Sequence, residues 1–298
     1  MKPKTIKVLL YYKYVKLKDP NEVEKSQREL CTRLNLGGRI LLSTEGINGT
    51  VAGLVKDVDE YIKQTEKIEA FSNMEWKVSW SDEQIFPKLR IRVRDEIVTL
   101  GLRKGGDDVE ISSKADYIEP EELFSLYENS QDFVIIDARN NYEARVGKFK
   151  GAITAPIDNF KDFPKFANGL EKFKDKEVVT YCTGGVRCEK ASAYLRQKGF
   201  KKVRQLHGGI HEYAKRTSGK YFEGEMFVFD KRMLIPVNSV NPTVISECKY
   251  CQKPISRYVD CSYPTCHSLF VCCQECQQLY QSACSENCIK QLQIQTNN

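Results

Sequence analysis

The sequence lacks the features that mark several large classes of protein. No apolar run in its 298 residues approaches the roughly 20 residues that a membrane-spanning helix needs. Histidine occurs only three times and without the paired spacing of a non-haem iron site, and there is no glycine-rich nucleotide loop and no flavin or haem motif. The pattern therefore predicts no membrane span and indicates none of these cofactors.

The first residues also lack the signature of a secretory leader. Residues 1–4 precede a strand-like run, residues 6–12, that has no small-residue cleavage site. Charged residues make up 29% and hydrophobic residues 41% of the chain, as in ordinary soluble globular proteins. We therefore expect a cytoplasmic protein. Its net charge of +6 permits a polyanionic partner without requiring one.

Cysteine is scarce over most of the chain and abundant at its end. Only Cys31, Cys182 and Cys188 precede residue 248, and the other nine of the twelve cysteines lie between 248 and 288. In a reducing compartment such clustering indicates a metal rather than disulfides. The candidate ligands form pairs at chelating spacing: Cys248 with Cys251, Cys261 with Cys266, Cys273 with Cys276, and Cys284 with Cys288.

These four cysteine pairs predict two structural zinc sites, each with four thiolate ligands in a tetrahedron. The sequence leaves open which pairs combine. It also leaves open the alternative that the thiols hold no metal and are reduced or oxidised by chance. Cys272 and His267 are left over as spare ligands.

The segment Cys182–Arg187, with the sequence Cys-Thr-Gly-Gly-Val-Arg, carries the strongest chemical signal. A β-prone run, 177–181, precedes it and a helix-like segment, 189–197, follows it, so Cys182 lies on a tight loop at a predicted helix start. Unpaired backbone N–H groups and the helix dipole concentrate positive charge there, and Arg187 adds a full charge. We therefore predict that Cys182 is a nucleophile with a lowered pKa. The rest of the cradle is Thr183, Gly184, Gly185 and Val186.

Other interpretations of this loop stay open. Free cysteines are commonly small buried hydrophobes, which would make Cys182 a packing residue. Cysteine phosphatases wrap phosphate with a longer loop, whereas here only four residues separate Cys182 from Arg187. The smaller ring favours a single bulky sulfur, such as a persulfide, over a tetrahedral phosphate.

Three further residues are candidates for supporting the loop. Asp137 and Arg139 end an apolar strand, where they either shape the pocket or pair with each other to fix the turn that follows. Cys188 lies at the helix start. It either resolves an oxidised or persulfidated Cys182 by forming a disulfide, or simply packs the helix.

A second informative segment alternates basic and apolar residues. The basic residues are Lys88, Arg90, Arg92 and Arg94, and the apolar residues between them are Leu89, Ile91 and Val93. A period of two places all four charges on one face of a strand. Like charges in a row repel one another unless something anionic lies across them, and a nucleic-acid backbone fits. The segment predicts an RNA-binding face, and the alternative is an ordinary solvated face.

The predicted elements divide the chain into four parts. Residues 1–100 follow the order β-α-β-β-α-β, which is typical of a ferredoxin-like α+β domain, with a hairpin predicted at Asn48-Gly49. Residues 101–116, with Gly105-Gly106-Asp107-Asp108, have the composition of a linker. Strands alternate with helices over 117–220, which predicts an α/β domain with a parallel sheet and a site at the carboxyl ends of its strands. Residues 221–298 form a connector and a cysteine-rich C-terminal domain.

Several of these motifs together resemble a known family. The loop 182–187, the strand 134–139 and the turn 206–210 are similar to those of rhodanese domains. The longer segment Cys182–Lys190 is similar in particular to the rhodanese-like tRNA uridine hydroxylases. Further similar segments extend the resemblance over nearly the whole chain: 46–53, 98–101, 224–230 and the cysteine-rich tail.

The resemblance implies an enzyme that acts on tRNA. Its reaction would be the hydroxylation of carbon five of the wobble uridine, with molecular oxygen as co-substrate. Cys182 carries over as the essential residue, and Arg187 with the loop amides as its activating cradle. The resemblance also implies a central rhodanese domain and a ferredoxin-like N-terminal domain.

Two other functions stay open. A sulfurtransferase would pass sulfane sulfur through a persulfide on Cys182, and the loop length suits that reaction equally well. A non-enzymatic binding module would hold RNA or a protein partner through the basic strand and the cysteine-rich tail.

Overall fold

The computed structural model describes residues 5–102 and 109–296. The glycine-rich centre of the predicted linker, 105–108, lies outside this part of the chain. The described chain contains an N-terminal unit with two helices on a sheet, a central unit around a parallel sheet, and a small cysteine-rich unit. Within these residues no helix combines the length and apolar character that crossing a membrane requires.

The N-terminal unit is a five-stranded sheet that packs two helices on one face. Its elements are β1 (Ile6–Tyr14), α1 (Pro20–Arg33), β2 (Gly37–Ser43), β3 (Gly46–Leu54), α2 (Val55–Glu66), β4 (Lys77–Ser81) and β5 (Leu89–Val93). The strand order is β4-β1-β3-β2-β5, with every pair antiparallel except β2–β5. The first four strands in this order form the predicted ferredoxin-like arrangement, which is therefore confirmed.

Alternation of side chains gives this sheet two different faces. Leu9, Ile40 and Ile91 are fully or almost fully buried in the core shared with α1 and α2. On β1, Leu10 and Tyr12 alternate with the residues that face this core, so they point to the opposite face. That second face is turned towards the central unit.

The hairpin predicted at Asn48-Gly49 is wrong. Both residues lie inside β3, where they pair with Leu41 and Ile40 of β2, and the chain reverses at residues 44–45. A Cβ at position 49 would come within 2.5 Å of the Tyr11 ring. The glycine therefore marks a close approach of a side chain to a strand rather than a turn.

The central unit is a parallel sheet covered by helices on both faces, as predicted. Its elements are β6 (Asp116–Ile118), α3 (Pro120–Glu128), β7 (Val134–Asp137), α4 (Asn141–Ala144), β8 (Gly147–Phe149), β9 (Ile153–Thr154), α5 (Phe163–Asn168), β10 (Glu177–Tyr181), α6 (Val186–Gln197), β11 (Lys202–Leu206) and α7 (Gly209–Thr217). The order in the sheet is β6-β11-β10-β7-β9, with parallel pairing throughout. The loop before α6 therefore lies at the carboxyl end of the central strand β10.

The C-terminal elements continue from the central unit. They are β12 (Phe222–Phe227), β13 (Leu234–Pro236), β14 (Tyr258–Asp260), β15 (Leu269–Val271), α8 (Gln274–Leu279) and α9 (Glu286–Thr296). Strand β12 pairs with β8, so the connector is fastened to the central unit. In the cysteine-rich unit, Tyr258 and Val271 pack against Val146 and Phe227, which joins this unit to the central one as well.

Helix α6 of the central unit lies against the N-terminal unit and is buried over nine consecutive residues, 187–195. The ammonium group of Lys190 lies 2.6 Å from a carboxylate oxygen of Glu96 and 2.9 Å from one of Glu45. Tyr12 donates a hydrogen bond to the Glu189 carboxylate at 3.0 Å. A buried charge is tolerated only when it is paired, so these contacts hold the N-terminal sheet against the start of α6.

Candidate active site

Cys182 begins the loop that joins β10 to α6, and its side chain is fully buried. The Gly185 N–H donates to Cys182 Sγ at 3.1 Å. Gly185 has a φ of 103°, a conformation that favours glycine. A Cβ there would also come within 2.8 Å of the Tyr12 hydroxyl oxygen. Glycine at this position therefore allows both the backbone conformation of the loop and the close approach of the N-terminal sheet.

The Cys182 thiol has a pKa far below that of an ordinary cysteine. Burial by itself would raise the pKa, because it disfavours the charged thiolate. The hydrogen bond from the Cys188 thiol, the positive charge of Arg187 and the backbone N–H groups of Arg187 and Gly185 outweigh that effect and lower the pKa to about 6. At neutral pH the sulfur is therefore mainly a thiolate, which is the nucleophilic form.

Arg187 is held in place by Glu143 rather than free to move. Its guanidinium donates to both carboxylate oxygens of Glu143, at 2.5 and 2.7 Å, in a buried bidentate pair. Burial alone would raise the pKa of Glu143, but the Arg187 charge lowers it. Glu143 also accepts a hydrogen bond from the Asn140 N–H at 3.1 Å, in a capping box at the start of α4. Short helix α4 thus positions the charge that acts on Cys182.

Asp137 and Arg139 form an ion pair with each other at the carboxyl end of β7. The Arg139 guanidinium donates to Asp137 at 2.6 and 2.9 Å and to the Gly147 carbonyl at 2.6 Å, and both charged side chains are fully buried. The Tyr181 hydroxyl donates to Asp137 at 2.7 Å. Of the two roles that the sequence left open, the geometry therefore shows mutual pairing and a fixed strand end.

Cys188 lies in the first turn of α6, buried beside the Cys182 sulfur. Burial raises its pKa well above the usual value, and the hydrogen bond to Cys182 and the Cys182 charge raise it further. Cys188 is therefore a neutral thiol that donates to its neighbour. This contact is compatible with both roles considered for it, packing the helix and resolving an oxidised Cys182.

A cavity of about 420 Å³ lies between the cysteine loop and the N-terminal sheet. Its size falls within the roughly 300–1,000 Å³ of small-molecule sites. The loop side includes Cys182, Thr183, Gly184, Val186 and Arg187, and the sheet side includes Leu10, Tyr12, Arg39, Leu41, Asn48 and Thr50. Phe229, from the connector, reaches the same cavity. The N-terminal unit, the central unit and the connector therefore all contribute to the space above Cys182.

The sequence did not reveal the sheet side of this cavity. Asn48 and Thr50 belong to a segment that the sequence indicated only as a hairpin and through the family resemblance, and Arg39 carried no signal. These residues reach Cys182 through the docking of one unit on another, and no spacing along the chain encodes that contact. Polar residues on one face of a strand are also typical of a solvated sheet face, so Asn48 and Thr50 do not by themselves indicate a site.

The basic segment lies on the same face of the N-terminal sheet as the cavity. Arg90 and Arg92 of β5 are exposed, while Ile91 between them is buried against the helices. Lys88 and Arg94 flank the strand and are also exposed. Among the described residues, none of these four side chains has a hydrogen-bond or ion-pair partner, and the same is true of Arg39 on the neighbouring strand β2. The charges are therefore available to an anionic ligand.

The eight paired cysteines of the tail fall into two groups whose members interleave along the chain. One group is Cys248, Cys251, Cys273 and Cys276, and the other is Cys261, Cys266, Cys284 and Cys288. Within each group the sulfur atoms lie within 4.8 Å of one another. The shortest separations, 3.4 Å and 3.7 Å, are close to the about 3.8 Å that tetrahedral zinc–thiolate bonds require. Either group could hold a metal ion, and the donor chemistry fits.

Comparison with known proteins finds matches along nearly the whole chain. Three family models match: the UPF0176 acylphosphatase like domain over residues 6–97, the rhodanese-like domain over 119–216 and the rhodanase C-terminal region over 223–289. A tRNA uridine(34) hydroxylase from Staphylococcus haemolyticus is 42% identical over 95% of this chain and 89% of its own length. The chain belongs to the tRNA uridine(34) hydroxylase family.

Other members of the tRNA uridine(34) hydroxylase family match a similar share of this chain. The protein of that name from Cytophaga hutchinsonii is 41% identical over 96% of this chain and 90% of its own length. The one from Listeria monocytogenes is 40% identical over 94% of this chain and 88% of its own length. The similarity therefore spans the cysteine loop, the N-terminal sheet and the tail together.

We expect alkylation of Cys182 by iodoacetamide to rise with pH through a midpoint of about 6. The thiolate is the reactive form, so reactivity is lost as the pH falls below this value. Peptide mass spectrometry after short exposures from pH 5 to 9 measures each cysteine separately. Cys31 is the internal control, because burial raises its pKa to about 12 and it should stay unmodified. A Cys182 midpoint near the ordinary value of about 8.5 would contradict the assignment.

Proposed function

We propose that this protein is a cytoplasmic enzyme that hydroxylates carbon five of uridine 34 in tRNA, with Cys182 as its reacting group. The observation that carries the proposal is a thiol with a lowered pKa at the base of a cavity large enough for a nucleotide. The names of relatives that match over 95% and 96% of the chain support the substrate and the reaction. We assign residues 1–100 and 117–220 to the two domains that enclose the site, 101–116 to their linker, and 221–298 to the connector and the tail.

The thiolate suits a route in which the uracil ring is activated by addition. Cys182 Sγ would bond to C6, and the π-electron pair of the C5–C6 bond would move towards C5 and the O4 carbonyl. The electron-rich C5 then forms a bond to oxygen. Loss of the proton from C5 expels the thiolate and restores the double bond, so Cys182 acts as a covalent catalyst.

The balance of the reaction specifies what else must be supplied. With molecular oxygen as co-substrate, one oxygen atom replaces the hydrogen on C5 and the other leaves as water. That change consumes two protons and two electrons from an external reductant, such as a dithiol. Arg187 and the loop amides stabilise negative charge on sulfur, both in the free enzyme and when the thiolate leaves.

Persulfide transfer is the second candidate function. It is favoured by the same N–H donors around Cys182 Sγ, because they would stabilise a sulfane sulfur in the loop as well as a thiolate. It would use the same cysteine but leave a sulfur atom, rather than oxygen, on the acceptor. The two reactions therefore differ in their products and can be separated by analysis of modified nucleosides.

We expect tRNA from cells that lack this gene to have lost 5-hydroxyuridine and its derivatives. Wild-type protein should restore them and Cys182→Ser should not, as measured by nucleoside mass spectrometry. In vitro, RNA with 5-fluorouridine at position 34 should form a covalent complex with the wild-type protein, because the fluorine on C5 blocks the proton loss that releases the thiolate.

Two results would contradict this proposal. Unchanged 5-hydroxyuridine together with altered thiouridine would assign the protein to sulfur transfer. A covalent complex that forms equally well with Cys182→Ser would show that this cysteine is not the nucleophile.

The basic segment on β5 is proposed as the contact for the tRNA backbone. Lys88, Arg90, Arg92 and Arg94 are exposed side chains on the edge strand of the sheet whose face forms the cavity wall. Phosphate contacts bring affinity and position a nucleic acid without reading its sequence. A strand of phosphates along this edge would leave a neighbouring nucleotide beside the cavity.

We expect the double variant Arg90→Gln/Arg92→Gln to bind tRNA more weakly and with less dependence on salt. Each lost phosphate contact lowers the slope of log affinity against log salt by about 0.7–0.9, so the slope should fall by about 1.5–2. Fluorescence anisotropy at several salt concentrations measures both quantities. The matched control is Lys25→Gln/Arg33→Gln, which removes two exposed charges from α1 on the other side of the sheet. Equal affinities for the two variants would favour the solvated-face alternative.

The tail is proposed to hold two structural zinc ions. Four thiolates complete a tetrahedral shell and leave no position for a substrate, so the ions would stabilise the fold rather than take part in catalysis. The cysteines themselves make up most of the small core of this unit. A unit with so little apolar core needs such cross-links to be stable.

We expect two zinc ions per chain by elemental analysis of protein purified under reducing conditions. Cys276→Ser and Cys261→Ser should each lose one ion, because they belong to different groups. Cys272→Ser is the control, since Cys272 is buried beside these cysteines but belongs to neither group. Loss of zinc from the control, or no zinc in the wild type, would contradict the assignment.

A further inference from the structure

The wall of the cavity opposite Cys182 is built by residues that the strand register brings into line. Tyr12 of β1 lies beside Asn48 of β3, which lies beside Leu41 of β2. In the next row, Leu10 lies beside Thr50 and Thr50 beside Arg39. The rows continue onto β5, where Arg92 follows Leu41 and Arg90 follows Arg39.

The chemistry of these rows changes across the sheet. On β1 the side chains are aromatic or apolar, on β3 they are polar and uncharged, and on β2 and β5 they include three arginines without a partner among the described residues. Successive strands are about 4.8 Å apart and residues two positions apart on a strand about 6.8 Å, so Asn48 and Arg39, one strand and one row apart, are about 8 Å from each other. A nucleotide has the same order of groups on that scale: a flat base with polar edges, then a sugar, then a phosphate.

The cavity is closed at its β1 side. A Cβ on Gly184 would come within 2.7 Å of Leu10, and one on Gly185 within 2.8 Å of Tyr12, so β1 lies directly against the cysteine loop. Arg39, two strands away, is exposed and still reaches the cavity. A ligand would therefore enter from the arginine side, with its apolar end towards β1.

Asn48 has a fixed orientation in this wall. Its side-chain NH2 group donates one of its two hydrogens to the Ile97 carbonyl at 3.1 Å, which fixes the orientation of the amide and leaves the amide oxygen as an acceptor. Asn48 also lines the cavity. Uracil presents an N–H donor at N3, whereas cytosine has an unprotonated acceptor at the same position. An acceptor held in place discriminates between them, because cytosine would leave two acceptors facing each other.

We propose that this face of the N-terminal sheet is the pyrimidine-binding wall of the site. Asn48 accepts the N3–H of the target uracil and Arg39 binds the phosphate of the same nucleotide. The inference rests on the proposed function for the identity of the substrate. It assigns selectivity for uracil to the N-terminal domain, while the chemistry stays with Cys182 in the central domain. A base from an anticodon loop is already unpaired and can turn into such a cavity at little cost.

The test compares anticodon stem-loop RNAs that carry U34 or C34 in equilibrium binding to the full-length protein. Wild type should bind the U34 RNA at least tenfold more tightly than the C34 RNA. Asn48→Ala should lose this preference, chiefly by binding the U34 RNA more weakly. Arg39→Gln should weaken binding of both RNAs about tenfold and leave the preference intact, since one charge-assisted phosphate contact is lost. Arg33→Gln, at an exposed arginine on α1 away from the cavity face, is the matched control and should change neither value.

The outcomes separate this inference from the proposed function. Equal binding of U34 and C34 RNAs by wild type, or an undiminished preference in Asn48→Ala, would overturn the role of Asn48. Wild-type affinity in Arg39→Gln would overturn the phosphate contact. A uracil preference that depends on Asn48 supports the wall even if cells show no change in 5-hydroxyuridine, a result that would contradict only the hydroxylase assignment. A general loss of folding would lower binding of both RNAs in Asn48→Ala without abolishing the preference, and circular dichroism detects it.

Discussion

The structure depends on helix α6, which is buried along its first two and a half turns although it carries Arg187, Glu189 and Lys190 there. A helix with charged residues on several sides is stable inside a protein only if each charge finds a partner. Each does so in a different part of the chain: Arg187 pairs with Glu143 of α4, and Lys190 with Glu45 and Glu96 of the N-terminal unit.

Glu189 completes this set of contacts. It accepts hydrogen bonds from Tyr12 and Tyr117 and forms an ion pair with Lys114 at 2.9 Å. The helix that begins at the cysteine loop is therefore also the element that aligns the two larger units. The geometry of the cavity and the charge near Cys182 follow from the same set of contacts.

The cysteine-rich unit is connected to this arrangement through a short path. The Tyr258 hydroxyl donates to the Tyr142 carbonyl at 2.5 Å, and Tyr142 is the neighbour in sequence of Glu143, which holds Arg187. Phe227 of the connector packs against both Tyr142 and Tyr258. A tail stabilised by metal would thus support α4 from outside and, through it, the position of the arginine beside Cys182.

Local signals in the sequence predicted the fold class and the cysteine loop. Alternating strands and helices indicated the parallel sheet, and Cys-Thr-Gly-Gly-Val-Arg indicated a helix start that favours a thiolate, because both effects depend on residues that are neighbours in sequence. The same reasoning failed at Asn48-Gly49, where glycine is needed because the Tyr11 ring on the neighbouring strand leaves no room for a side chain. A contact between strands cannot be distinguished from a turn signal when only the dipeptide is considered.

By itself the sequence predicted a reactive thiol at Cys182 with Arg187 and the loop amides as groups that lower its pKa, the alternating basic strand and the four cysteine pairs at chelating spacing. Each of these is set by spacing along the chain. Only the tertiary structure decided which cysteine pairs combine, that Glu143 holds Arg187, and that Arg39, Asn48 and Thr50 face Cys182 across a cavity. These depend on strand register and on the docking of one domain on another, which arise from many weak contacts between residues far apart in sequence.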